Sequence, residues 1–226
     1  MVVGGTVKKT EIVEFTNSNS TPPAYGELPN VRCWAVGAIL GNAPFVCGGA
    51  DGTTYFDSCL TLENSQWNKS YVLTVGRAYF AGVLINSTTY WMLGGLGTAT
   101  EFIWEDQYYG ELGPKLPIDI SQNCAVKLSA QEIFLIGGYS DTRGQCSNEV
   151  WVFNPQNGFE SKQGASMFEK RCSHSCSIMR DGEKTVIVVA GGFTTTMNGR
   201  DNLNSVEIYD PTDYSWDLGK EITILC

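Results

Sequence analysis

Short apolar runs that close on paired glycines alternate along this chain with runs in which apolar and polar residues trade places. The clearest copy is Glu132-Ile133-Phe134-Leu135-Ile136-Gly137-Gly138. The same figure ends at Gly4-Gly5 after Met1-Val2-Val3 and at Gly48-Gly49 after Phe45-Val46-Cys47. It recurs at Gly94-Gly95 after Trp91-Met92-Leu93 and at Gly191-Gly192 after Val186-Ile187-Val188-Val189-Ala190. Each run predicts a buried strand halted by a glycine turn. The spacing of 43 to 54 residues between successive pairs gives the figure its weight as a repeat.

Inside each period a polar loop leads to the alternating run, which predicts a strand paired to the first with one face more buried. These runs are Glu11 to Phe15, Cys59 to Glu63, Glu101 to Glu105, Glu149 to Phe153 and Ser205 to Tyr209. A third segment begins with an aromatic residue, Tyr25, Trp67, Tyr109, Phe159 or Trp216, and large rings at a repeating place suit packing between neighbouring sheets. A fourth run, Trp34 to Leu40, Ala78 to Ile85, Cys124 to Leu128 or Ser175 to Met179, leads to the next glycine pair. Four short strands per period cannot bury both faces of their sheet alone, and radial stacking about an axis covers them.

An apolar run plus Gly-Gly, then Val206-Glu207-Ile208-Tyr209-Asp210-Pro211, then Trp216, resembles the kelch repeat, and the likeness covers nearly the whole chain. Arg32, Arg77 and Arg171 sit where kelch repeats place an arginine, just before the innermost strand. The resemblance implies an all-β, kelch-type β-propeller. About five four-stranded blades are visible, with repeats of roughly 1–43, 44–89, 90–131, 132–184 and 185–226 in one domain, 1–226. Gly48, Gly49, Gly94, Gly95, Gly137, Gly138, Gly191, Gly192, Trp67 and Trp216 are then structural residues. Two departures stand out: the first copy takes a ten-residue step from Phe15 to Tyr25, and the fourth has Phe159 in place of Trp. Family topology starts this chain at the second strand of a blade and leaves only ten residues after Trp216. The resemblance therefore implies a fragment of a six-bladed ring, incomplete at both ends.

Composition narrows the functional classes. Hydrophobic residues at 42% and charged residues at 17% suit a folded core. A net charge of -9 repels phosphate backbones and anionic lipid, so no nucleic-acid partner is expected, and no apolar run is long enough for membrane insertion. Eight cysteines favour an extracellular or secreted setting over a cytoplasmic one. Sequons at Asn19, Asn68 and Asn86 are compatible with a glycoprotein but are about as many as chance would place.

The densest chemistry is Cys172-Ser173-His174-Ser175-Cys176, where alternation puts two thiols and the only imidazole on one face of a strand. A metal needs a fourth ligand that the spacing does not supply, so disulfides or buried thiols are the preferred reading. Among kelch-like propellers, a galactose-oxidase-type copper site needs two histidines, and the iron set of plant specifier proteins needs a Glu-x-x-x-Asp-x-x-x-His that is absent. No cofactor, metal or catalytic residue is expected. Asp51, Asp57, Asp141 and Asp201 read as solvated loop acids.

The resemblance places the loops between second and third strands on one face with those leading into the innermost strands, and that face carries function in many kelch proteins. Its longest loop runs from Phe193 to Asn202, with Tyr139, Asp141 and Arg143 in the preceding copy. Tyr139, Arg143, Phe193, Met197 and Arg200 are the candidate partner-binding residues. The expected function is a non-enzymatic module for protein partners. A carbohydrate-binding or carbohydrate-active propeller and a cytosolic ubiquitin-ligase adaptor fragment are the alternatives. Family topology also suggests Cys124 with Cys146, and Cys33 with Cys47, as disulfides.

Overall fold

The computed structural model describes residues 2–3, 10–11, 26–95, 100–104, 109–155, 160–182 and 184–222, and among them there is no helix. The short strands β1 (Val2–Val3) and β2 (Thr10–Glu11) pair antiparallel. Four complete four-stranded sheets follow. The first holds β3 (Val36–Leu40), β4 (Ala43–Cys47), β5 (Ser58–Glu63) and β6 (Gln66–Val72). The second holds β7 (Ala81–Asn86), β8 (Thr89–Leu93), β9 (Thr100–Trp104) and β10 (Glu111–Leu112). In the third are β11 (Cys124–Lys127), β12 (Ile133–Ser140), β13 (Gln145–Asn154) and β14 (Glu160–Gln163). The fourth has β15 (Ser175–Asp181) and β16 (Lys184–Ala190), then a hairpin of β17 (Phe193–Thr196) and β18 (Gly199–Asn202), and finally β19 (Val206–Asp210) and β20 (Ser215–Leu218).

Every sheet is an antiparallel meander, and the first strands β3, β7, β11 and β15 neighbour one another in that order around the axis of a propeller. Each structural blade begins one strand before the sequence repeat, because the fourth run of one period is the innermost strand of the next sheet. Apolar residues of alternate register then meet between blades. Phe45, Cys47, Tyr71 and Leu73 of the first blade pack on Phe80, Tyr90 and Met92 of the second. Trp91 and Leu93 pack on Ile120, Ile133 and Leu135, and Ile136, Val150 and Val152 pack on Ile187, Val189 and Trp216.

The glycine pairs build the joint between blades. All eight glycines from Gly48 to Gly192 have positive φ, a region that costs other L residues about 1–2 kcal/mol. The second glycine donates its amide to the loop of the next blade: Gly49 to the Arg77 carbonyl at 2.8 Å, Gly95 to Ile120 at 3.0 Å and Gly138 to Arg171 at 2.8 Å. A Cβ on Gly137 would stand 2.8 Å from that same Arg171 carbonyl and 2.8 Å from the His174 ring. In the third blade the strand runs on through Gly137-Gly138 to Ser140 with a register shift, so there the pair bends a strand that the sequence pattern would have halted.

The buried arginines close the same joint from the other side. Arg32 donates to the Gly48 and Ser58 carbonyls at 2.7 and 2.8 Å. Arg171 reaches the Gly191 carbonyl at 3.0 Å and forms a fully buried ion pair with Glu207 at 2.8 Å. Glu207 also accepts the Phe168 and Glu169 amides, so neither charge is left unsatisfied. Ile120 occupies the equivalent place in the third blade, which is why only three arginines carry the pattern.

Trp67 and Trp216 are buried as their repeat position implies, and Trp216 donates its indole N–H to the Ala165 carbonyl at 2.8 Å. Tyr109 departs from the expectation: it is 68% exposed and forms a parallel bridge with Val72, because β10 starts two residues after it. Tyr25 and Phe159 lie outside the described residues.

The cysteine pairing also departs from expectation. Cys47 bonds Cys59, its cross-strand partner, leaving Cys33 as a free thiol. Cys124 bonds Cys176, with Cα atoms 6.0 Å apart, and Cys146 bonds Cys172, at 5.5 Å. The physical reason is that β11 and β15 are neighbouring innermost strands, which brings Cys124 to Cys176, and that Cys146 and Cys172 both lie against Phe193 of the fourth blade. Both long bridges therefore tie the third blade to the fourth.

Two outcomes are expected. Gly137→Ala should lose about twice the stability lost by Gly191→Ala. The first adds a clash to backbone strain, whereas a Cβ on Gly191 meets only the Leu203 carbonyl, at 3.7 Å. Equal denaturant midpoints would remove the close approach as a cause. Non-reduced peptide mapping should recover Cys124 with Cys176 and Cys146 with Cys172; a Cys124–Cys146 peptide would refute this register of blades.

Candidate functional site

The axis opens on the face that carries the glycine joints, and its rim has one construction in all four blades. Trp34, Tyr79, Gln122 and Ser173 each stand two residues after the joint position, and each has a left-handed backbone, with φ of 57°, 61°, 54° and 51°. Their main chains are linked in series. The Tyr79 amide donates to the Trp34 carbonyl at 3.3 Å, Gln122 to Tyr79 at 2.6 Å and Ser173 to Gln122 at 2.8 Å. These bonds offset the strain of four non-glycine residues in a sparsely populated region.

Fixing the backbone leaves the four side chains free to differ. Trp34 is 52% exposed and stacks on Tyr79 with ring centroids 4.3 Å apart. On the other half of the rim, the Ser173 hydroxyl donates to Gln122 Oε1 at 2.9 Å. The rim thus has an aromatic half and a polar half. Beside Trp34 a cleft of about 570 Å³ is bordered by Asn30, Val31, Cys33, Asp51 and Thr53. Asp51 accepts the Thr53 and Thr54 amides at 3.0 and 2.9 Å, and these hydrogen bonds hold its carboxyl below the ordinary range.

The sequence candidates gather on the opposite side of the same face. The segment from Phe193 to Asn202, expected as a loop, is the β17–β18 hairpin. Arg200 lies over the Phe193 ring at 4.5 Å, and Met197 is fully exposed at the tip. Thr195 accepts the Cys146 amide at 3.0 Å, anchoring the hairpin to the third blade. Tyr139 pairs with Cys146 across the β12–β13 hairpin and bridges Ser121. Arg143, in the turn, pairs with Glu149 at 2.6 Å, a contact that draws it towards its own blade.

The hairpin is electrically linked to the rim. Desolvation pushes the Tyr79 phenol above its usual range, Tyr55 and Cys33 add to the effect, and the Arg200 charge opposes it. Trp34, Tyr79, Gln122 and Ser173 were not singled out from sequence. Their signal is present in Arg32-Cys33-Trp34, Arg77-Ala78-Tyr79 and Arg171-Cys172-Ser173.

His174 lies behind the rim and is closed to solvent. Cys172 and Cys176, its neighbours in the sequence cluster, are bonded to two different residues of the third blade, so the three side chains do not form a ligand set. The carbonyls of Ile136 and Arg171 approach the ring without completing a hydrogen bond to either nitrogen. Burial, and after it the Arg171 charge, pushes its pKa down to about 3. The neutral ring fills the space cleared by Gly137 and Gly192.

Residues 184–221 match the family model of the kelch motif. The chain folds as a kelch-type propeller. Among solved structures, that of YjhT superposes with a TM-score of 0.78 over 92% of this chain and 76% of its own, at 13% identity. That likeness is one of fold. No curated protein matches the chain by sequence. The matched residues are the fourth blade from β16 outward, the copy whose Arg171–Glu207 pair is complete.

The lowered His174 pKa fixes the sign of an acid effect. An unfolded chain takes a proton at this ring near pH 6.5 and the folded chain does so only near pH 3, so stability falls as pH drops through that window. The His174 contribution should approach about 1.4 kcal/mol per pH unit between roughly pH 6 and 4. Denaturant titrations of the wild type and His174→Gln should diverge in slope there, and parallel curves would place the imidazole in solvent.

Proposed function

We propose that this kelch-type propeller is a non-enzymatic binding module that receives a protein partner on the mouth face. The observation that carries the reading is the exposed Trp34–Tyr79 stack on a backbone ring whose geometry is the same in every blade. A rigid frame that varies only its side chains suits recognition, since little ordering entropy remains to be lost on association. Aromatic residues and arginine are the usual anchors of such surfaces, and Arg200, Phe193 and Met197 extend the anchor set across the face.

The non-enzymatic part rests on where the strongest chemical groups are spent. The imidazole is buried and neutral, Arg171 and Glu207 neutralise each other, and Asp51 is occupied by its own turn. Three disulfides favour an extracellular setting over the reducing cytosol and so weigh against the ubiquitin-ligase adaptor.

A carbohydrate reading keeps one specific support: an exposed indole beside a cleft with amide, carboxylate and hydroxyl groups suits a sugar ring. One pair of variants separates the two. A screen against secreted and cell-surface proteins should yield a partner whose affinity falls at least about 30-fold with Trp34→Ala and several-fold with Arg200→Ala. A glycan-array signal lost with Trp34→Ala, without any protein partner, would overturn the protein reading in favour of the sugar.

A further inference from the structure

The hairpin turns on the face away from the mouth carry a feature that the binding reading does not use. β7 and β8 are joined through Ser87 and Thr88, and the sequon Asn86-Ser87-Thr88 occupies this turn with all three residues exposed. Asn86 Oδ1 accepts both the Thr88 amide at 2.9 Å and the Thr88 hydroxyl at 3.0 Å. The turn's hydrogen bonds therefore use the amide oxygen alone. The Ser87 carbonyl accepts the Gly41 amide at 2.7 Å, which fixes the turn against the first blade while its side chains face water.

A second sequon, Asn68-Lys69-Ser70, lies on β6, the outermost strand of the first blade. Asn68 and Lys69 are exposed, and the flanking Trp67 and Tyr71 point into the protein, so alternation sends Asn68 outward. β5 is the one full strand beside β6, with Tyr109 bridging its far end at Val72, and an outermost strand is a template for unwanted pairing. The third sequon, at Asn19, lies outside the described residues.

We infer that Asn86 and Asn68 are N-glycan acceptors, modified in the same oxidising compartment that forms the disulfides. The donor is a lipid-pyrophosphate-linked oligosaccharide. Asparagine Nδ2 forms a bond to the anomeric carbon, and the bond from that carbon to the pyrophosphate oxygen breaks. Its electron pair leaves with the lipid pyrophosphate, and one amide proton passes to a base. Transfer takes place on the extended chain, so what the fold must supply is room for the product, and both positions supply it. The glycan on Asn86 projects from the face opposite the mouth, and that on Asn68 covers a strand edge. Neither obstructs Trp34 or the β17–β18 hairpin.

The test is secretion of the full chain from an animal cell line, followed by removal of N-glycans with peptide N-glycosidase F and mass spectrometry of the peptides. Digestion should remove one mobility step for Asn86 and one for Asn68, each converted to Asp, whatever Asn19 adds. Thr88→Ala and Ser70→Ala should each abolish one step, while Thr88→Ser, which keeps the hydroxyl, should retain the Asn86 glycan. A secreted, disulfide-bonded product with both asparagines unmodified overturns the inference, and modification at one site alone overturns it for the other. Binding at the mouth is read separately, so a failure here leaves the proposed partner surface untouched.

Discussion

The described blades depend on a contact made at each seam between them: the second glycine of a pair, Gly49, Gly95 or Gly138, donates its amide to a carbonyl in the loop that begins the next sheet. Together with the main-chain bonds of the rim and the side chains packed beneath it, this bond sets the angle between neighbouring sheets. Glycine is needed twice over there. The backbone is left-handed, and a Cβ would meet a carbonyl of the next blade at the first glycine, Gly48, Gly94 or Gly137, and one of its own blade at the second. The arginine that begins three of the blades donates to the carbonyl of the first glycine in that blade's own pair, so that groups left by the bend find partners inside the protein.

That economy explains what could be read from the sequence. Strands β4, β8, β12 and β16 were legible because a buried central strand is a run of apolar residues, and the glycines marked the ends of all but β12, which runs on to Ser140. The outer strands were harder. Tyr109 stood at the right interval, but a two-residue strand beyond it does not hold its ring against the next sheet. The partners of Cys124 and Cys146 were set by how the third and fourth blades meet, a quantity that no spacing along the chain encodes. The joint was read as a row of glycines and arginines, and its consequence two residues later, the rim of Trp34, Tyr79, Gln122 and Ser173, was missed because four unlike side chains show no pattern.

Those unlike side chains are informative for that reason. A structural repeat constrains the main chain equally in each blade, and a position where the backbone is held while the side chain varies is free to answer to something outside the fold. The candidates chosen by exposure and type, Phe193, Met197 and Arg200, fall on the same face and are joined to the rim through the influence of Arg200 on Tyr79. Arg143 is drawn aside by Glu149, so a residue type alone is a poor guide to which arginine meets a partner.

The two long disulfides cross one seam, between the third and fourth blades. Among the described blades the other seams carry no disulfide and are held by packing, the glycine joint and the hydrogen bonds of the rim and loops. The third and fourth sheets are therefore tied by two covalent links, whereas the blades before them meet through non-covalent contacts. Covalent reinforcement is thus uneven among the described blades, and it falls on the polar half of the rim, beside Gln122 and Ser173.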